Sequence, residues 1–285
     1  MAPVRCAVLG DPVDHSLSPV LHRAAYDALG LEGWTYEAVR VPGGTLADFL
    51  RGLDGSWRGL SLTMPLKREL LDLAGEVTDR ARLVGAANTL VLGDDVAAGG
   101  LADNTDLPGA AAAVRERWTG AVDDVVVLGG GATAASTALA LVEEGATRVR
   151  VLARSPQRAA QTVDAVRAHP SAPRVEALAL PTQPVHADVV VSTVPASAQG
   201  PDLLALLHAP VFFEVLYDPW PTPLATAAGE RGAVLVGGLD LLVHQAALQV
   251  ELFTRPSIDP SIDRPAPLAL MREAGERALL ARARG

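Results

Sequence analysis

Near the middle of the chain, a short run of β-branched residues meets three consecutive glycines: Val125-Val126-Val127-Leu128-Gly129-Gly130-Gly131-Ala132-Thr133-Ala134. The apolar run is too brief for a helix and suits a strand buried on both faces of a parallel sheet. An Ala-rich stretch follows to about Leu141 and reads as a helix. A strand that enters a helix through glycines brings backbone N–H groups against a pyrophosphate. Gly129 permits the tight turn, Gly131 lets phosphates approach, and Ala134 stands where helix and strand must pack closely. The other reading of such a stretch is an ordinary strand-to-helix turn.

A second apolar strand, Val149-Arg150-Val151-Leu152, favours the nucleotide reading. In an NAD-binding unit, an acidic residue about 20 positions past the glycines closes this strand and holds the ribose hydroxyls. Here the strand runs into Ala153-Arg154-Ser155-Pro156-Gln157-Arg158 instead. A carboxylate there would repel a 2′-phosphate, whereas a guanidinium grips it through paired hydrogen bonds. Ser155 is placed to cap the next helix, with Pro156 at its first position. Arg154 and Arg158 read either as a solvated helix start or as a 2′-phosphate grip, and the second makes the cofactor NADP.

Composition narrows the class. A chain of 285 residues with 49% hydrophobic content can bury one large core or two ordinary ones. A net charge of −9 argues against nucleic acid or an anionic membrane as the main partner. One cysteine, Cys6, excludes an internal disulfide and fits a reducing cytoplasm. No apolar run reaches transmembrane length, and the N-terminus passes into a strand without a signal-peptide pattern. The six histidines show no metal-ligand spacing, so no metal is expected.

From the N-terminus, Val4 to Leu9 reads as a strand. Ser18 then caps a helix with Pro19 at N1; Val20, Leu21, Ala24, Ala25, Ala28 and Leu29 form its apolar face, and Gly30 stops it. Trp34 to Val41 alternates as a strand, and Thr45 caps a short helix to about Leu53. Arg58 to Leu62 is a third strand, after which Pro65 opens a helix carrying Lys67. Two further strand-helix steps reach Asn88 to Leu92, and Gly93-Asp94-Asp95 suggests a hairpin. Asp106 to Trp118 is a helix leading into alternating strands around Val125, Val149, Val175, Val189, Val211 and Val234. A long apolar helix runs from Leu239 to about Phe253. Arg255 to Pro260 is irregular, and Ala266 to Arg284 closes with a helix.

Several residues in this frame could carry chemistry. Ser16 and Ser18 put two hydroxyls at the positive end of a helix, where they serve as caps or bind a carboxylate. A lysine in the first turn of a helix opposes the dipole, so Lys67 is either well solvated or a partly buried acid/base. Asn88-Thr89 and Asn104-Thr105-Asp106 fall at element joints, where polar side chains collect in α/β clefts, and Asp106 also suits an N-cap. Gln245, inside an apolar helix, either satisfies a buried partner or reaches a ligand.

Taken in order, these motifs resemble the shikimate dehydrogenase family over nearly the whole chain. Gly10-Asp11-Pro12 through His15-Ser16-Leu17-Ser18-Pro19 and His22 is similar to the family's opening substrate motif. Gly59-Leu60-Ser61-Leu62-Thr63-Met64-Pro65-Leu66-Lys67 is similar to its lysine motif. Gly85 to Thr89, Asn104-Thr105-Asp106, and Tyr217-Asp218-Pro219 with Thr222-Pro223-Leu224 resemble later ones.

The resemblance implies an α/β protein with a substrate domain over residues 1–105 and a doubly wound NADP-binding Rossmann domain over 106–238. Helices over 239–285 would return to the first domain. It implies reversible NADPH-dependent reduction of 3-dehydroshikimate to shikimate, by a cytoplasmic monomer or homodimer that binds neither nucleic acid nor membrane. Lys67 and Asp106 would be the catalytic pair. Ser16 and Ser18 would hold the substrate carboxylate, Thr63, Asn88, Asp106 and Gln245 the ring hydroxyls, and Ser61 and Lys67 would also bind substrate. Tyr217 would lie near carboxylate and nicotinamide. Gly129, Gly130, Gly131, Ala132, Thr133, Ala153, Arg154, Ser155, Arg158, Thr193, Val194 and Gly238 would bind the cofactor.

Four positions depart from the family pattern. Ser61 replaces the usual Asn and shortens the reach to substrate, and Ala153 replaces the Asn before the cofactor arginine. Arg23 and Leu107 stand for Asn and Gly. These departures bear on substrate range, where quinate, or another polyol acid, is the alternative to shikimate. A non-catalytic NADP-binding sensor is the rival from another class, and retention of both Lys67 and Asp106 argues against it.

Overall fold

The computed structural model describes residues 3–93, 95–254 and 266–284, so Asp94 and the Arg255 to Pro260 stretch lie outside the described residues. The chain divides into two compact units, Met1–Thr105 with Leu242–Gly285, and Asp106–Leu241.

In the first unit the strands are β1 (Val4–Gly10), β2 (Trp34–Arg40), β3 (Trp57–Leu62), β4 (Glu76–Val77), β5 (Thr89–Val91) and β6 (Leu101–Asp103). They form a mixed sheet in the order β2-β1-β3-β5-β6-β4. β1 pairs in parallel with β2 and β3, whereas β5 runs antiparallel to both β3 and β6. β5 and β6 are thus joined as antiparallel neighbours, through a connection that contains a 3-10 turn at Val96–Ala98.

Helices α1 (Ser18–Leu29), α2 (Leu46–Arg51) and α3 (Asp79–Val84) complete the N-terminal part. The buried stripe of α1 is Ser18, Leu21, His22, Ala25 and Tyr26, at helical spacing, and Ala28 is exposed. The inward face is therefore rotated from the purely aliphatic one, because aromatic packing decides it. His22 stacks on Tyr36 with centroids 3.9 Å apart, and Tyr26 meets Trp34 edge-on. A second cluster on this sheet is built from Leu9, Leu46, Leu60, Leu62, Leu66 and Leu90.

Two helix caps differ from those the sequence suggests. Ser18 is the first residue of α1, and Leu17 holds the cap position; the Ser18 N–H is accepted by Ser16 Oγ at 3.2 Å. Thr45 sits at the cap of α2, but its hydroxyl turns back to the Pro42 carbonyl, 2.7 Å away. The Glu69 carboxylate caps instead, accepting the N–H groups of Gly44 and Leu46.

The second unit opens with α4 (Asp106–Arg117), in which Asp106 is the first helical residue rather than a preceding cap. Six strands, β7 (Asp124–Leu128), β8 (Arg148–Leu152), β9 (Arg174–Leu178), β11 (Val189–Ser192), β13 (Val211–Glu214) and β14 (Val234–Val236), build its main sheet. The order is β14-β13-β11-β7-β8-β9, every pairing is parallel, and each anticipated valine lies in its strand. The chain order reverses at β7, which is the switch point where doubly wound sheets bind nucleotides. Two short strands, β10 (Val185–His186) and β12 (Leu207–His208), pair separately and leave no periodic signal in the sequence. Helices α5 (Ala132–Glu143), α6 (Ala160–Arg167), α7 (Pro201–Leu206) and α8 (Pro223–Glu230) complete this unit.

Helix α9 (Gly238–Thr254) then carries the chain from the second unit into the first, and α10 (Leu268–Arg282) packs on α1. Close packing of α9 on the first sheet explains Gly59, where a Cβ would fall 2.2 Å from the Phe253 ring. Among the described residues no helix is long and apolar enough to cross a membrane.

Candidate active site

The glycine turn has three distinct steric roles. Gly129 has φ +105°, which L side chains rarely adopt, and a Cβ there would lie 2.3 Å from Thr193 Oγ1. A Cβ on Gly130 would meet the Arg158 carbonyl oxygen at 2.6 Å and Ala159 Cα at 2.7 Å. On Gly131 it would meet nothing within 4 Å. The first two glycines are thus demanded by the protein's own packing. Gly131 keeps space clear in front of the N-terminus of α5, as a pyrophosphate cradle requires. Ala132 and Thr133 fill the half-buried first turn, and Ala134 is fully buried.

Beside this turn lies a cavity of about 180 Å³ lined by Gly129, Gly130, Ala153, Arg154, Arg158 and Val194, among others. The two arginines are exposed at its rim, while Ala153 is buried and donates its N–H to the Leu178 carbonyl. Ser155 holds the cap position before a 3-10 turn (Pro156–Ala159), but its hydroxyl donates to Gln157 Oε1 rather than accepting a helix N–H. Thr193 fastens the opposite wall, donating through both N–H and Oγ1 to the Leu128 carbonyl. Gly238 allows another close approach, because a Cβ there would sit 2.3 Å from the Val215 carbonyl oxygen. Tyr217 follows that contact in a half-buried loop after β13.

In the first unit, Asn88, Thr105 and Gln245 come together in a buried cluster. Asn88 Oδ1 accepts the Thr105 N–H at 2.8 Å and the Thr89 hydroxyl at 2.9 Å. Its amide nitrogen therefore faces Thr105 Oγ1 and Gln245 Oε1, at 3.0 and 3.1 Å. One Gln245 N–H goes to the Leu242 carbonyl.

Lys67 is half-buried in a run of turns, and no helix begins at Pro65. The Lys67 carbonyl accepts the Ala87 N–H at 2.7 Å, so a distant segment takes an acceptor that a helix would have used. Lys67 therefore does not oppose a helix dipole from a first helical turn. Gly10 lies so close to Thr63 that an added Cβ would sit 2.3 Å from Thr63 Cγ2, which fits the opening motif against the lysine motif.

Three buried groups were not anticipated. Tyr36 donates to Ser61 Oγ at 2.6 Å, and Ser61 donates to Gln249 Oε1 at 2.8 Å. Gln249 Nε2 continues to Thr89 Oγ1 at 2.9 Å, so Ser61 is engaged within the protein on two sides. Gln249 stands one helical turn past Gln245, a polar repeat in an apolar helix that was visible in the sequence.

The third group is Asp103. Burial pushes its carboxyl up, but hydrogen bonds from Arg80, Thr78 and the Asn104 N–H outweigh this and hold it below the ordinary value. His22 is fully buried with Nδ1 on the Ser18 carbonyl, and burial lowers its pKa to about 3. It is a neutral core residue. Among the described residues no group of three or more His, Cys, Asp or Glu could hold a metal.

A parallel sheet with a glycine cradle and arginines at its switch point, joined to a separate mixed-sheet unit holding a buried polar cluster, defines a dinucleotide-binding α/β protein with its own substrate unit. Residues 8–90 match the shikimate dehydrogenase substrate binding domain, and residues 124–209 match a family described as NADP oxidoreductase, coenzyme F420-dependent. A shikimate dehydrogenase (NADP(+)) from Methylobacterium radiotolerans is 36% identical, aligning with 92% of this chain and 96% of its own. The crystal structure of Mycobacterium tuberculosis shikimate dehydrogenase superposes with a TM-score of 0.82 at 39% identity, covering 96% of this chain and 100% of that one. That of the Thermus thermophilus shikimate 5-dehydrogenase in complex with NADP(H) and shikimate gives 0.82 at 30%, covering 97% and 100%. The chain belongs to the shikimate dehydrogenase family.

Proposed function

We infer that this chain catalyses the reversible NADPH-dependent reduction of 3-dehydroshikimate to shikimate, a step toward the aromatic amino acids. The observation that carries the cofactor choice is the end of β8. Arg154 and Arg158 rim the cavity beside the glycine turn, where a carboxylate would select NAD.

The bound cofactor supplies the hydride. The protein's task is to hold the ketone in place and manage one proton. Ser16 and Ser18 bind the substrate carboxylate at the start of α1, where the helix dipole favours negative charge. The ring hydroxyls fall to Thr63, Asn88 and Gln245. Protonated Lys67 stabilises the negative charge that develops on the C3 oxygen and delivers the proton there. Asp106, at the start of α4, is the second member of the proton-handling pair. Tyr217 contacts the substrate from its loop.

The test offers purified protein shikimate and quinate in parallel, each with NADP⁺ and NAD⁺, and follows formation of the reduced nicotinamide. Turnover confined to shikimate with NADP⁺ is expected. Turnover mainly with quinate, or equal use of NAD⁺, overturns the reading. Lys67→Ala should lower kcat by about 10²-fold or more while KM for shikimate changes little. Equal losses in both would make Lys67 a binding residue only.

A further inference from the structure

Beneath the Tyr217 loop, the second unit encloses a carboxylate that the chemistry above does not use. Glu214 ends β13 and is 1% exposed. Its Oε1 accepts the Leu216 N–H at 3.1 Å, and its Oε2 accepts Gln199 Nε2 at 2.7 Å and Thr222 Oγ1 at 2.9 Å. The Ser192 hydroxyl faces the same group.

Each of these partners is held in the sense of a donor. The Gln199 amide cannot flip, because its oxygen accepts the Leu224 N–H at 2.9 Å. Thr222 Oγ1 accepts the Ala225 N–H as the cap of α8, which directs its hydrogen to Glu214. Leu216 offers a backbone N–H. A group surrounded by donors has to be acceptor-only, and a carboxylate supplies the four lone pairs needed. Burial holds the Glu214 carboxyl above its ordinary value, and these donors offset only part of that rise.

The donors come from two loops. Gln199 closes the Thr193 to Ala198 segment, whose Val194, Pro195 and Ala198 line the cavity beside the glycine turn. Leu216 precedes Tyr217, and its carbonyl carbon would lie 2.5 Å from a Cβ on Gly238. One carboxylate therefore fastens the wall of the cofactor cavity and the loop that carries Tyr217. We propose that Glu214 is a positioning residue that touches neither NADP nor substrate, yet sets the affinity for both by locking these two loops together.

The proposal rests on the NADP reading. If wild-type protein fails to bind NADP⁺, that reading fails before any variant is made. The experiment measures the NADP⁺ dissociation constant by calorimetry, and the shikimate KM, for wild type and three variants far below their melting temperatures. Glu214→Gln places an amide NH₂ among donors, and should weaken NADP⁺ binding at least tenfold and raise the shikimate KM at least tenfold. Exchange of the pair, Glu214→Gln with Gln199→Glu, restores one acceptor and one donor across the contact. It should recover most of both losses, whereas a residue that only supported folding would not be rescued in this way. Gln199→Leu frees the cavity wall but keeps the Leu216 bond, so NADP⁺ binding should weaken while the shikimate KM stays within twofold. A folded Glu214→Gln protein with wild-type NADP⁺ affinity overturns the proposal. If Glu214→Gln does not fold, a Gln199→Leu protein that loses both affinities equally, or neither, overturns it as well.

Discussion

The three glycines after β7 make opposite predictions for substitutions two residues apart. In Gly131→Ala the new methyl meets no protein atom within 4 Å, and the backbone there is extended with φ −90°. Gly131 is also the N-cap of α5, where Ala is less favourable than Gly by about 1 kcal/mol. That offsets the gain of about 0.4–1 kcal/mol through lost freedom in the unfolded chain, so the apo protein should stay within about 1 kcal/mol of wild type. The methyl instead occupies the space kept for the pyrophosphate, and NADP⁺ affinity should fall about a hundredfold. At a ligand concentration of about 100 Kd the wild type gains about 2.7 kcal/mol, a shift of roughly 5 °C in Tm for a chain of this size. At that concentration the variant should shift by only about 1 °C. In Gly129→Ala the φ of +105° and the 2.3 Å approach to Thr193 Oγ1 act on the protein itself. Backbone strain and overpacking together should cost about 2–5 kcal/mol without any ligand. The assay is thermal melting of all three proteins with and without NADP⁺. A Gly131→Ala protein as destabilised without ligand as Gly129→Ala, or one that keeps the full NADP⁺ shift, refutes the assignment of that space to phosphate.

Three further outcomes follow from the structure. On the proposed role of Arg154 at the 2′-phosphate, its replacement with Glu would remove charge-assisted bonds worth about 1.5–3 kcal/mol, so KM for NADP⁺ should rise about ten- to a hundredfold while KM for NAD⁺ changes far less, as read by steady-state kinetics with each cofactor. His22 has its pKa lowered to about 3 by burial, so only the unfolded state takes up its proton as pH falls below the unperturbed 6.5. Its contribution to stability is complete above that value and declines as pH falls toward 3; from pH 6.5 to 5 wild type should lose about 2 kcal/mol more than His22→Phe in urea unfolding, and parallel pH curves would contradict this. Gln249→Leu removes the bridge from Ser61 to Thr89 inside the first unit and should cost about 2–4 kcal/mol in the same assay. A loss below about 0.5 kcal/mol would show that the bridge adds nothing net.

What was legible in the sequence followed from local physics. The parallel strands of the second unit read as continuous valine runs because both faces are buried, and the register Val125↔Val149 and Val189↔Val125 stacks those runs directly. The glycine turn was legible because a strand passing through consecutive glycines into a helix is a local signal, although the groups that crowd Gly129 and Gly130 are the remote Thr193, Arg158 and Ala159. Errors arose where a distant segment supplies the hydrogen-bond partner. Lys67 looked helical until the Ala87 N–H took its carbonyl, and Thr45 looked like a cap until Glu69 took that role from 24 residues along. The aliphatic face assigned to α1 was displaced because Tyr36, on another strand, rewards a histidine by stacking. Glu214 gave no sign at all, since its donors come from Gln199 and Thr222 as well as the adjacent Leu216. Gln249 is the instructive middle case. Its partners are remote, but a glutamine four residues beyond Gln245 in an apolar helix marks one face as polar, and a buried polar face must find partners. Ser61 is one of those partners, and its hydroxyl spans from Gln249 to Tyr36. Ser61 is thus tied to a tyrosine on β2 and a glutamine on α9. An Asn in place of Ser61 alone would confront both the Tyr36 hydroxyl and the Gln249 oxygen, so it could not be accommodated without changes at those two positions.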